Sequence, residues 1–100
     1  MENELLFIIN KQLDAAFPVN ISPDELQHKL SAFINDLIQN DFQKLINILY
    51  KVDVDELKLK KILRENIGED ASIIIAKLII ERELQKITTR KQFKVDERGF

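Results

Sequence analysis

The chain has 100 residues, 45% of them apolar and 32% charged, with a formal net charge of −2. That length makes one domain able to fold without metal or disulfide support, and so apolar a composition excludes a disordered chain. The lack of cysteine excludes a disulfide framework, a thiolate nucleophile and a cysteine-based zinc site, and two glycines with two prolines leave too few turns for a β-sandwich.

Residues 1–50 carry 3 basic and 7 acidic groups, and residues 51–100 carry 12 and 10. This balance is a poor fit to general nucleic-acid binding. The acidic start Met1-Glu2-Asn3-Glu4 is unlike the basic start of a secretory signal, and the longest apolar run, residues 73–80, is broken by Lys77 and too short to span a bilayer. These features predict a cytoplasmic protein with no membrane partner.

In chain order, a first helix is expected over residues 3–17, with Leu6, Ile9, Leu13, Ala16 and Phe17 at helical spacing. Pro18 pushes Phe17 out of the α region and ends it. The second helix opens with a capping phrase, Ile21-Ser22-Pro23-Asp24-Glu25-Leu26: Ser22 caps, Pro23 takes the first helical position, Glu25 reaches back, and Ile21 meets Leu26. Leu26, Leu30, Phe33, Ile34 and Leu37 form its apolar stripe. Asn40-Asp41 predicts a stop and restart, with one continuous helix as the alternative. The third helix then covers 42–51, with Phe42, Leu45, Ile46, Leu49 and Tyr50 on its buried face.

The capping phrase recurs as Val52-Asp53-Val54-Asp55-Glu56-Leu57, which predicts Asp53 as the cap of a fourth helix over 54–66. Leu59, Ile62 and Leu63 mark its buried side, and Gly68 suits the left-handed position after it. Asp70 caps a fifth helix over 71–91, and 92–100 lacks a period and reads as a flexible C-terminal tail. The expected fold is all-α: a small single-domain bundle of four or five short helices over 1–91, with the long C-terminal helix as its spine.

That fifth helix carries two apolar stripes. Ala71, Ile74, Ile75, Leu78 and Ile79 form one; Ile73, Ala76, Ile80, Leu84 and Ile87 form the other, roughly opposite. A helix apolar on both sides is central to its bundle or shared with a partner. Ile73, Ile80, Leu84 and Ile87 are therefore the candidate interface for a homodimer or another protein.

No constellation of catalytic residues emerges. Glu25-Leu26-Gln27-His28 is a Glu-x-x-His, but a di-iron bundle needs two such motifs and the chain has one histidine. Ser22, Ser31 and Ser72 lack the context of an activated nucleophile. Asp53, Asp55 and Glu56 lack the later ligands of a calcium loop and favour a helix N-terminus without any metal. The expected function is thus non-catalytic, without cofactor or metal: a helical protein-interaction or self-associating module. The alternative is a small nucleic-acid-associated protein using the basic face of Lys58, Lys60, Lys61 and Arg64.

Overall fold

Leu6, Ile9 and Leu13 recur at three- and four-residue spacing, and they turn one face of the first helix inward. The structure, a computed structural model, describes residues 3–66 and 70–98, and the side chains of 4–66 and 70–91. Its helices are α1 (Asn3–Leu13), α2 (Pro23–Asn40), α3 (Phe42–Val52), α4 (Glu56–Glu65) and α5 (Ala71–Arg98), with no strand among the described residues. The chain is an all-α bundle with a long C-terminal helix.

Helix α1 stops at Leu13 rather than at 17. Asp14 adopts a left-handed conformation, φ 54°, and the Ala15 amide donates to the Asn10 carbonyl at 3.0 Å, which closes the helix. Asn10 then brackets the departing chain. Its Nδ2 donates to the Phe17 carbonyl at 3.1 Å, and its Oδ1 accepts from the Phe17 amide at 2.9 Å. The strap sets Phe17 edge-on to Phe33, with ring centroids 6.0 Å apart.

Helix α2 begins as its capping phrase predicts. Ser22 accepts from the Glu25 amide at 3.2 Å. The Glu25 carboxylate accepts from the Ser22 hydroxyl at 3.1 Å instead of from the Ser22 amide. Leu26, Leu30, Ile34 and Leu37 are buried. The break after Asn40 is real, and Asp41 serves both sides of it: its amide donates to the Leu37 carbonyl at 2.9 Å, and its carboxylate accepts from the Lys44 amide at 3.2 Å.

The second capping phrase works differently from the first. Asp53 is not the cap of α4. It ends α3 in the left-handed region, φ 67°, with its amide bonded to the Leu49 and Tyr50 carbonyls. Asp55 caps α4 instead, accepting from the Leu57 amide at 2.9 Å. Helix α3 must turn sharply into α4, and Asp is among the few residues that enter the left-handed region at modest cost.

Helix α3 is also rotated from the expected face. Leu45, Ile48 and Val52 are buried, whereas Tyr50 is 84% exposed and Phe42 is exposed too. A seven-residue apolar choice offered two overlapping faces, and packing against α1, α2 and α5 selected the one centred on Ile48.

Helix α5 is the spine: α1, α2, α3 and α4 all pack on it, α2 most extensively. Ile75, Ala76, Ile79 and Ile87 join the core formed with Leu6, Ile9, Leu30, Leu45 and their neighbours. Asp70 caps it, accepting from the Ser72 amide at 2.9 Å and the Ser72 hydroxyl at 2.7 Å. Its helical backbone continues past the expected end at 91 as far as Arg98. Residues 91–98 contain no glycine or proline, so an established helix has no reason to stop there. The expected role of Gly68 lies outside the described residues.

Candidate functional site

The four candidate interface residues of α5 occupy different surroundings. Ile73 and Leu84 are 39% and 40% exposed, Ile80 is half-buried against the core, and Ile87, at 5%, lies inside it. Exposure alternates along the stripe, so the four residues do not form one open face. The basic face of α4 is likewise divided. Lys58 pairs with Glu81 at 3.3 Å and Lys60 with Glu56 at 3.2 Å, which leaves Lys61 and Arg64 as exposed cations. Glu25 is engaged with Ser22, and His28 is exposed. Among the described residues, no three histidine, cysteine or acidic side chains gather where a metal ion could be held.

Two concave surfaces flank the turn between α3 and α4. The first is apolar. Among the described residues, α4 packs on α5 alone, and it buries no residue completely. It therefore splays from α3 and leaves a groove of about 380 Å³ whose apolar lining is Ile46, Leu49, Tyr50, Val54, Leu59 and Leu63, with the charged Asp53, Glu56 and Lys60 completing it. Tyr50 stands at its edge, and Leu57, 78% exposed, lies on the first turn of α4. Full burial of an aliphatic side chain contributes about 1.5–3 kcal/mol. Leu59, Ile62 and Leu63 are only half-buried and forgo part of that.

The second surface is a cleft of about 780 Å³ between α1, the end of α3 and α5. Lys11, Lys51, Arg82, Lys86 and Arg90 line it, beside the apolar Phe7 and Ile8. Glu83 forms part of its wall but is fully buried, at 0% exposure. Its carboxylate pairs with the Lys86 ammonium one turn on. An ionised carboxylate only accepts, so the Gln12 amide turns its nitrogen towards Glu83, 3.1 Å from Oε1. This triad ties α1 to α5.

The motifs of the sequence do not single out Glu83. A signal was present: Glu83 falls four residues after Ile79 and four before Ile87, both core residues, so helical spacing already placed it inward. The sequence puts Tyr50 on the buried face of α3, and its exposure is not legible from a face that two registers satisfy.

Arg82 joins the two surfaces. It lines the cleft, and its guanidinium holds Asp53, which lines the groove. At the far end of α5, the two bonds from Ser72, the hydroxyl's first and the amide's second, hold the Asp70 carboxyl below its usual range. No helix of the described residues is long and apolar enough to cross a membrane. In comparisons with known proteins, no family model, curated protein or solved structure matches this chain.

Proposed function

We propose that the chain is a non-catalytic interaction module that seats the apolar face of a partner helix in the groove between α3 and α4. The observation that carries this reading is the open groove itself, with Tyr50 84% exposed at its edge. A volume of about 380 Å³ falls within the range of ligand-binding clefts, and an amphipathic helix offers anchors at matching three- and four-residue spacing. Tyrosine is enriched at binding hot spots because it combines a large apolar body with a polar tip. A docked helix would complete the burial of Leu59 and Leu63. The reading includes a cytoplasmic setting, supported by the cysteine-free composition.

A photo-crosslinking residue at position 50, introduced in the native cell, tests this. One dominant protein adduct is expected at position 50 and none at the exposed position 29 on α2, and Leu63→Glu should abolish it. A homodimer would appear as an adduct of the chain with itself. No adduct at 50, or the same adducts at 29, would refute the reading.

A further inference from the structure

We infer that the cleft between α1, α3 and α5 is a second binding site, one that takes an acidic amphipathic segment of a partner protein. Five cations line it, and two of them are neutralised within the fold: Arg82 by Asp53 and Lys86 by Glu83. Lys11, Lys51 and Arg90 have no ion-pair partner among the described residues, and all three are exposed. They come from three different helices, α1, α3 and α5. Lys11 and Lys51 each lie in the last turn of a helix, where a cation complements the dipole. That local benefit does not account for their convergence with Arg90 on one concavity. Like charges brought together repel, and a bound anion relieves the repulsion.

The remaining lining points to the second half of the ligand's chemistry. Phe7 is 67% exposed and stands with Ile8 on the wall of the cleft. An aromatic ring left in water beside unpaired cations suits a ligand that brings both carboxylates and apolar side chains. Nucleic acid is the poorer occupant. A phosphate backbone extends beyond so short a cleft and would meet the acidic remainder of a chain whose net charge is −2. A short acidic segment is satisfied within the cleft.

The test uses the full-length chain, labelled for amide NMR, titrated with a synthetic peptide of alternating Glu-Glu and Leu-Phe pairs. A single-stranded oligonucleotide is titrated in parallel. Saturable peptide binding is expected, with the largest shifts at Phe7, Ile8, Lys11, Lys51 and Arg90, and affinity should fall steeply as salt screens the charges. Lys11→Glu, Lys51→Glu and Arg90→Glu together should weaken it by at least about tenfold, with Lys29→Glu on α2 as an unaffected control. Each single reversal is at an exposed site and should weaken binding by about threefold, so the test survives a misfolded triple variant. The proposal is overturned by absent peptide binding, by equal loss in the Lys29 variant, or by reversals without effect. Tighter binding of the oligonucleotide through the same residues would overturn it in favour of nucleic acid. None of these variants touches the groove of α3 and α4, so the two readings fail separately.

Discussion

Arg82 grips Asp53 at two points: its Nε donates to the Asp53 carbonyl at 3.0 Å, and a terminal nitrogen donates to Oδ2 at 3.0 Å. The contact joins the spine to the left-handed residue that ends α3. It anchors the turn from which α4 departs. Arg82 also bonds Gln85 one turn on, which holds the guanidinium in place.

This division of labour between Asp53 and Asp55 predicts distinct consequences of substitution. Asp53→Ala should destabilise by roughly 1–2 kcal/mol, because alanine keeps the β-carbon that disfavours the left-handed region and loses the polar side chain that offsets that cost and binds Arg82. Asp53→Gly should cost less than Asp53→Ala, although it loses the same ion pair. Asp55→Ala should cost about 1 kcal/mol through loss of the α4 cap. Amide exchange distinguishes them: only Asp55→Ala should selectively speed exchange at Leu57 and Lys58.

The Glu83–Lys86 pair should show the asymmetry of a buried ion pair. Lys86→Met leaves a fully buried carboxylate with Gln12 as its remaining partner, and should cost roughly 3 kcal/mol. Glu83→Leu combined with Lys86→Met removes both charges and should recover most of that loss. Denaturant unfolding of the two variants checks this; a double variant as unstable as the single one would show that the pair itself stabilises the fold.

The Asp70 cap should respond to acid. Its folded-state pKa lies below the ordinary value of 3.8, so its contribution is present above that value and is lost as pH falls through the depressed folded pKa. Ser72→Ala removes the hydroxyl bond, the larger cause of the shift. The Asp70 carboxyl should then titrate closer to 3.8, as followed by carboxyl NMR, and stability should lose part of its dependence on pH in that acid range.

Leu84 and Ile87 should behave oppositely although they lie one turn apart. Ile87→Glu places an unpaired charge in the core and should prevent stable folding, whereas Leu84→Glu should shift stability by less than about 1 kcal/mol. Circular dichroism reads both. A folded Ile87 variant would return this end of α5 to the surface.

The helices, their order and most of their inward stripes were legible in the sequence, because each rests on local chemistry. Ser22 before Pro23, Asp41 at the break and Asp70 before Ser72 act within three residues of themselves, and the spacing of Leu26, Leu30, Ile34 and Leu37 turns one face inward whatever covers it. Tertiary structure decided the rest. Two phrases of the same build took different roles because the left-handed turn at Asp53, gripped by an arginine 29 residues away, left capping to Asp55. Tyr50 went outward and Glu83 inward for a related reason. A helical stripe states which residues can share a face, but burial depends on which neighbours arrive. The meeting of α1 with α5 buries Glu83 and adds Gln12 to the Lys86 partner that α5 itself supplies, and the parting of α4 from α3 leaves Tyr50 in water.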